Sequence, residues 1–134
     1  MSLEKLTVKT KQQLDFAIVK ITGQIFAGVI SKTPVGDPTY WYNYVPPPGY
    51  VGGRAKGNWQ ASKGTPIRSE IERIDGEGSS TIAEATLKIE SGVVMYLSNN
   101  VPYIRELEYG YSKRQAPTGW VRATIQQYAR KVSP

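Results

Sequence analysis

Two glutamates in the second half of the chain, Glu106 and Glu108, are the first residues whose spacing suggests chemistry. A pair of carboxylates can act as general acid and general base, but residues two apart on a helix point in different directions. Ser98 and Ser112 are possible nucleophiles. The 134 residues include no His and no Cys, so neither an imidazole base nor a thiolate is available to assist them. The sequence therefore predicts no enzymatic activity, no metal site and no cofactor.

The two glutamates lie in a segment whose pattern predicts a strand, a turn, a short helix and a loop. Residues 93 to 97 are apolar and partly β-branched, as in a buried strand. Asn99 and Asn100 favour a turn, Pro102 suits the first turn of a helix, and Gly110 is placed to end that helix. A polar, basic loop follows, and a C-terminal helix comes after it.

The segment that begins at Ser98, SNNVPYIRELEYGYSKRQAPTGWV, resembles the pattern NN-x-PYA-x-x-LE-x-G-x-S-x-QAP-x-G of the tail-completion proteins of long-tailed phages. An upstream stretch, TPV followed by GRAKGNW, is similar to the family's TPVDTG-R-x-x-NW, although an insertion after Val35 splits it here. The residues that carry the resemblance are Trp59, Asn99, Asn100, Pro102, Tyr103, Leu107, Glu108, Gly110, Ser112, Gln115, Ala116, Pro117 and Gly119.

This resemblance implies a structural protein of the virion, located at the neck or tail and assembled in the cytoplasm of the bacterial host. It implies a ring of identical subunits, expected to number six, that contacts the tail terminator, the tail tube or the head connector. Genomic DNA would pass through the ring without specific binding. Within this family pattern Glu108 is expected to be structural, as a helix cap or as an ion-pair partner of Arg105 or another basic residue.

Two other functions are compatible with the sequence. A tail terminator or tube-like ring protein is the nearer alternative, because such rings share the size and the mixture of helix and sheet. A nucleic-acid-binding module is the more distant one. In a nucleic-acid-binding module the basic residues are expected to form a stripe on the surface. In this chain the 17 Lys and Arg residues are interleaved with 11 acidic ones.

Composition predicts a single domain spanning residues 1 to 134. The net charge of +6 favours an acidic partner, although it is equally compatible with solubility alone. The first residues lack the apolar core of a secretory signal. No apolar run approaches the roughly 20 residues that span a bilayer, so no membrane partner is predicted.

Residues 4 to 31 carry the strongest helical pattern of the chain. One apolar stripe has the spacing of a 3.6-residue helix and consists of Leu14, Ile18, Ile21, Ile25 and Val29. A second line beside it consists of Val19, Phe26 and Ile30. One line is expected to be core, and the other could be core or could face a neighbouring subunit. The small residues Ala17 and Gly28 should let another element approach closely.

Residues 34 to 58 differ from the rest, because they hold five of the nine prolines and five of the fourteen aromatic residues. Such a segment is not expected to form a helix. Its aromatic side chains could fold back onto their own domain, or they could project as an interface with little rotamer entropy to lose. The predicted subunit or partner interface combines this loop with the later basic loop and comprises Tyr40, Trp41, Tyr42, Tyr44, Tyr50, Lys113 and Arg114.

The remaining segments complete a predicted α+β fold. Residues 57 to 62 and 67 to 74 read as strands. Thr81 and Glu84 have capping-box spacing, which favours a helix over 82 to 89, although a strand there fits the apolar pattern as well. The fold expected is a long N-terminal helix, a small and mostly antiparallel sheet of three to four strands, a middle helix, and a C-terminal helix packed on one face. One core is expected to contain Trp59, Val94, Tyr96, Tyr103, Leu107 and Ile125.

Overall fold

A computed structural model of the chain describes residues 10–35, 52–108 and 119–132. In chain order the elements are α1 (Lys11–Lys32), α2 (Arg54–Gly57), β1 (Gln60–Lys63), α3 (Ser79–Leu87), β2 (Met95–Ser98), α4 (Ile104–Glu108) and α5 (Trp120–Val132). The predicted α+β class is therefore confirmed in its coarse form, as helices with a small antiparallel sheet. The described residues form two strands, so the prediction of three to four is wrong for them.

The long helix α1 has clear start and stop signals. Thr10 is its N-cap, and the Thr10 hydroxyl oxygen accepts the Gln13 N–H at 3.1 Å, which satisfies one of the free amides of the first turn. The helix ends at Lys32 because Pro34 pushes the residue before it out of the α region. Thr33 accordingly has an extended conformation, with φ −64° and ψ 128°.

The side chains of α1 become more buried towards the C-terminal end of the helix, and this holds for both predicted apolar lines. Phe26, Val29 and Ile30, in the last third, are buried, whereas Phe16 in the first half is 68% exposed. The stripe through Leu14 is exposed in the same half. Neither predicted line is therefore core along its full length, because the rest of the domain packs against the C-terminal part of the helix.

The sheet pairs β1 with β2 in antiparallel register, with Gln60 opposite Ser98 and Lys63 opposite Met95. Alternate side chains of a strand point to opposite faces. Ala61 is buried in the core and Leu97, its partner across the sheet, packs against that core. The face that carries Ala61 and Leu97 therefore meets the helices.

The strand predicted over 67 to 74 is absent. Residues 66–68 and 70–75 have no regular secondary structure, and their backbone is held by amide side chains from other segments, as described below. The helical reading of the next segment is confirmed, since α3 covers Ser79–Leu87. Its predicted capping box is wrong, because Gly78 is the N-cap and Thr81 lies in the first turn, fully buried.

The apolar stripe predicted for the C-terminal helix α5, Val121, Ile125, Tyr128 and Val132, is only partly buried: Val121 packs against the core and Tyr128 is half-buried, but Ile125 is not. Trp120 and Thr124 are buried, whereas Ile125 is 46% exposed. The Thr124 hydroxyl donates to the Trp120 carbonyl at 2.7 Å, so burial of this polar side chain leaves its donor satisfied. Its methyl group lies against Gly28 of α1, and the close approach predicted at that glycine is confirmed.

One core joins the end of α1 to the sheet and to α5. Its buried apolar members are Phe26, Val29, Ile30, Ala55, Trp59, Ala61, Ala85, Val101 and Trp120. The prediction was right for Trp59, and Tyr103 packs against this cluster. It was wrong for Val94, which is 64% exposed, and for Ile125. Tyr96 is half-buried, and the side chain of Leu107 lies outside the part that the structure describes.

By length and composition alone, α1 could also cross a membrane. An 18-residue window of it has a mean hydropathy of 1.5, and 17% of that window is buried. The expectation that no run is long enough was therefore too strict, although core helices of soluble proteins meet the same criterion. Asp15 and Lys20 lie in this helix, and charges are costly at the centre of a bilayer. The absence of a membrane partner stays a prediction.

Candidate functional site

The first stretch that carries the family resemblance meets the start of α5 at the C-terminal end of α1. The last carbonyls of a helix lack partners in the helix itself. Here the Val29 carbonyl accepts the Thr33 hydroxyl at 2.7 Å and the Trp120 indole N–H at 3.2 Å. The Trp59 indole N–H in turn donates to the Thr33 hydroxyl oxygen at 2.8 Å. Two buried tryptophans, Trp59 and Trp120, are thereby fixed to one helix end.

The paired asparagines after β2 hold two different segments. The Asn99 amide donates to the Ala55 carbonyl at 2.7 Å, and its oxygen accepts the Val101 N–H at 3.2 Å. The Asn100 amide donates to the Ile67 carbonyl at 2.9 Å. The turn predicted from Asn-Asn is therefore also a clamp, with one side chain on α2 and the next on the segment that follows β1.

Two further amides complete the anchoring of that irregular segment. The Gln60 amide donates to the Ser69 carbonyl at 2.8 Å, and the Asn58 oxygen accepts the Ile71 N–H at 2.9 Å. Asn58 is fully buried and also donates to the Arg54 carbonyl at 2.8 Å. Side-chain amides thus do for this segment what a strand ladder would otherwise do, which explains its lack of strand pairing.

Close backbone contact explains the glycines of the GRAKGNW stretch. A Cβ on Gly57 would lie 2.5 Å from the Arg73 carbonyl oxygen, and a Cβ on Gly53 would lie 2.9 Å from the Gly76 nitrogen. Gly53 also has φ 106°, in the region that favours glycine. Any side chain at these two positions would push the segment around residues 73 to 76 away from α2.

Arg73 fills the space between α2, β1 and α3. Its guanidinium donates to the Gly57 carbonyl at 2.7 Å and to the Trp59 carbonyl at 3.1 Å, and it forms an ion pair with Glu84. Partial burial favours a raised pKa for Glu84, but the hydrogen bond and charge of Arg73, with help from Lys88, outweigh it and lower that pKa. An edge strand over 67 to 74 would place Arg73 mostly in water, and this expectation is wrong, since its side chain is 20% exposed.

The Asp75 side chain accepts hydrogen bonds from the first turn of α3, three residues before the N-cap residue Gly78. Its carboxylate accepts the Gly78 N–H at 2.9 Å, the Thr81 N–H at 3.0 Å and the Thr81 hydroxyl at 2.8 Å. These bonds, led by the one from the Thr81 backbone, lower the pKa of Asp75 below its ordinary value of 3.8. The Asp75 N–H donates to the Gly53 carbonyl at 3.1 Å, so the same residue joins α3 to the start of α2.

Glu108 has the structural role predicted for it. Its carboxylate accepts the Val121 N–H at 3.0 Å and the Arg122 N–H at 3.2 Å, which caps α5, and it also pairs with the Arg122 guanidinium at 3.2 Å. The negative charge lies at the positive end of the helix dipole. This carboxylate is occupied by helix capping and by an ion pair, which is an arrangement suited to support and not to proton transfer.

We call the hydrogen-bonded network around Trp59, the paired asparagines and Glu108 the frame. Both predicted interaction loops begin and end beside it. The Val35 side chain, where the aromatic loop departs, lies 4.0 Å from the position that a Cβ would take on Gly76, and Gly53, where the chain returns, is packed against the same glycine. Glu108 and Gly119 flank the basic loop, and the Gly119 N–H donates to the Glu108 carbonyl at 2.7 Å. Each loop therefore leaves and rejoins the body at one fixed place.

The frame collects Trp59, Asn99, Asn100, Tyr103, Glu108 and Gly119, while Pro102 is an exposed turn residue. Other predicted site residues lie outside the described residues, namely Tyr40, Trp41, Tyr42, Tyr44, Tyr50, Gly110, Lys113, Arg114 and Pro117. Part of the 34 to 58 segment is described, and the prediction that it forms no helix is wrong at Arg54–Gly57, where α2 makes one turn.

Sequence reasoning missed Arg73, Asp75 and Trp120 as parts of the frame. Asp75 precedes Gly76 and Gly78, and an Asp-Gly pair before a helix is a signal for capping by an Asx turn. Arg73 gave no local signal, because its partners are carbonyls of another segment. Among the described residues no group of three or more acidic side chains is arranged to hold a metal ion.

A scan against protein-family models and searches of curated proteins and of solved structures find no match to this chain. The resemblance to phage tail-completion proteins therefore rests on the residues quoted above and on nothing else.

Proposed function

We propose that the chain is a structural protein of a tailed phage, a tail-completion or neck component that joins the tail tube to the head connector as a ring of identical subunits. One observation carries the proposal. Both halves of the family pattern fold onto a single hydrogen-bonded frame, through Trp59 in the first half and Asn99 and Glu108 in the second. The polar side chains of the frame bind backbone groups or pair with one another, which supports a structural role.

A protein of this kind must present variable loops from a rigid body. The frame supplies the rigid part, because the core, the asparagine clamp and the two helix caps fix the ends of both loops. Loops carry binding function when a scaffold fixes their ends. The aromatic loop contributes several large rings and the basic loop contributes positive charge, which together suit contact with neighbouring virion proteins.

The proposed place between the tail tube and the head connector determines the partners. In the proposed ring, identical subunits contact each other around the axis, and the aromatic loop reaches the tail terminator, the tail tube or the head connector. Genomic DNA passes through the lumen, where backbone charge and not base sequence would matter. Assembly takes place in the bacterial host, and the mature location is the neck of the virion.

The aromatic loop gives the most direct test. Deleting Thr39 to Pro48 should leave a folded protein, because the two ends of the loop both lie near Gly76 and a short connection can join them. The same deletion should abolish joining of heads to tails when the variant replaces the wild type in a lysate, since interface aromatics often contribute about 2 kcal/mol or more each. Thermal unfolding and counts of joined particles in electron micrographs measure the two effects.

A pair of substitutions separates the aromatic rings from the length of the loop. Trp41→Ala with Tyr42→Ala should reproduce the joining defect, whereas the control Trp41→Phe with Tyr42→Phe retains rings and should join at nearly the wild-type level. Normal infectious titre from the deletion variant would show that the loop has no part in joining.

A further inference from the structure

One lysine differs from the other basic residues in its burial. Lys56, on α2, is 9% exposed, whereas the five other lysines whose side chains the structure describes are all exposed. A lysine side chain is almost never buried unless its charge is paired, because an isolated charge loses its hydration on burial. The burial of Lys56 therefore raises the question of what pairs with its ammonium group.

The described residues supply no partner for Lys56. Its ammonium group makes no hydrogen bond and no ion pair with any of them. The one fully enclosed side-chain polar atom without a partner among the described residues is Gln24 Oε1, so the Lys56 nitrogen is not sealed from solvent. A small anion can therefore reach a cation whose stem is buried and whose donors are free.

The end of the Lys56 side chain lies at the N-terminus of α3. A Cβ on Gly78, the N-cap residue, would lie 3.7 Å from Lys56 Cδ and 3.1 Å from Lys56 Cε. The Cγ2 methyl group of Ile30 lies 3.4 Å from the same point, so an apolar side chain of α1 and the lysine stem both lie against this N-cap. The ammonium nitrogen is bonded to Cε and is therefore at this helix end.

Two backbone amides at the same helix end also lack an acceptor. The first N–H groups of a helix have no partner within it. The Asp75 carboxylate accepts those of Gly78 and Thr81. The N–H groups of Ser79 and Ser80 have no acceptor among the described residues, and both serines are exposed. The start of α3 thus has free donors beside a free cation.

We propose that Lys56 and the first turn of α3 form a binding site for a phosphate group. The ammonium group supplies a full positive charge, the Ser79 and Ser80 amides supply directed donors, and the positive end of the helix dipole favours an anion at the same place. Lysine binds phosphate as a point charge, which leaves the orientation of the oxygens to the backbone amides.

The site depends on Lys56 in particular. The Asp75 carboxylate lies at the same helix end and repels an anion, and the charge of Lys56 offsets that repulsion. Without Lys56, the helix dipole and two amides would have to hold the anion against the carboxylate. Such a site would be present whether or not the chain joins heads to tails.

Titration of the isotope-labelled full chain with inorganic phosphate at constant ionic strength, followed by nuclear magnetic resonance, tests the site. The amide signals of Ser79 and Ser80 should shift and saturate in the wild type. Lys56→Met keeps an apolar stem and removes the charge, and it should weaken phosphate binding roughly tenfold or more, because hydrogen bonds from charged donors are the strong ones. The control Lys20→Met removes the same charge at an exposed position of α1 and should bind phosphate as the wild type does.

Thermal unfolding gives a second measurement of the same binding. Phosphate should raise the Tm of the wild type and of Lys20→Met above the Tm in chloride at equal ionic strength, because a ligand that binds the folded state stabilises it. Lys56→Met should lose this increase. Circular dichroism checks that each variant is folded, and Lys56→Gln replaces Lys56→Met if the latter is not.

A dinucleotide, which carries a single phosphodiester, distinguishes the two sources of a phosphate group. Shifts of the same amides by the dinucleotide would assign the site to a nucleic-acid backbone, and shifts by inorganic phosphate alone would assign it to the free anion. The absence of a saturable shift at Ser79 and Ser80 with both ligands overturns the inference. Equal affinity of the wild type and Lys56→Met also overturns it, as does an equal loss in Lys56→Met and Lys20→Met, which would show a general effect of net charge.

Discussion

At the scale of single residues, polar side chains that bind backbone hold this protein together. Asn99 binds the backbone of α2, Asn58 and Asn100 bind the irregular segment after β1, and Asp75 and Glu108 cap helices. Buried backbone groups need such partners, and a sheet of two short strands satisfies few of them. In the described residues, side chains that bind backbone therefore do the work that further strands of a larger sheet would do.

The carboxylate of Asp75 should make stability depend on acid. Its pKa is lowered in the folded protein, so its stabilisation is fully present above the unfolded value and is lost as the pH falls through the folded one. Both carboxylate oxygens accept hydrogen bonds, and Asp75→Asn replaces one of them with an NH2 group that cannot accept, so the variant should lose about 1 kcal/mol of unfolding free energy at neutral pH. The difference between the two proteins should shrink below about pH 4.

Urea unfolding of both proteins at several pH values measures this difference. Glu77→Gln is a suitable control, because Glu77 is an exposed neighbour in the same loop. A gap between wild type and Asp75→Asn that stays constant from neutral pH down to about pH 3 would contradict a role for the charged carboxylate.

At the scale of elements, periodicity predicted the helices better than their inward faces. The stripe of α1 gave the right element type. Over 82 to 89 the apolar pattern fitted a helix or a strand, and the helix was favoured by a capping box that the structure does not have. On α5 the same reasoning selected Ile125, because apolar spacing gave no reason to expect Thr124 inside. Thr124 is buried since it bonds its own helix at the Trp120 carbonyl and fits against Gly28. That fit depends on a helix about one hundred residues away in sequence and could not be read locally.

The strand predicted over 67 to 74 failed for a similar reason. Its alternating residues suit an edge strand, but the carbonyls of Ile67 and Ser69 are taken by the amides of Gln60 and Asn100. The family pattern located most residues of the frame, because it named Trp59, the asparagines and Glu108. It could not supply Arg73 or Asp75, which serve segments outside the pattern.

Two substitutions on α5 test which face is packed. Trp120→Ala removes a side chain that is 4% exposed and that donates to the Val29 carbonyl, so it should cost about 3–5 kcal/mol. Ile125→Ala changes a residue that is 46% exposed and should change stability by about 0.5 kcal/mol or less. Equal decreases in the denaturation midpoint of the two variants would show that the assignment of faces is wrong.

At the scale of the whole molecule, charge is balanced locally and not collected into a binding face. Among the described residues, Arg54 pairs with Glu70, Arg73 with Glu84, and Lys63 with Glu90. A nucleic-acid-binding surface would instead present unpaired cations along a groove. The cations that are paired in this way among the described residues are not free to follow a phosphate backbone.

Binding of nucleic acid should accordingly be weak and independent of sequence. Fluorescence anisotropy with a labelled duplex and a labelled single strand at physiological salt should give dissociation constants well above about 1 µM. Affinity of about 1 µM or tighter for either probe would favour the nucleic-acid-binding alternative over the neck component.

The central claim is that this chain joins heads to tails, and a reconstitution assay tests it most directly. A lysate in which the gene is inactivated is imaged by electron microscopy before and after addition of the purified wild-type protein. The account predicts separate, complete heads and tails without the protein, and joined, infectious particles once it is added. Joined particles at normal titre in the lysate that lacks the protein would contradict the account.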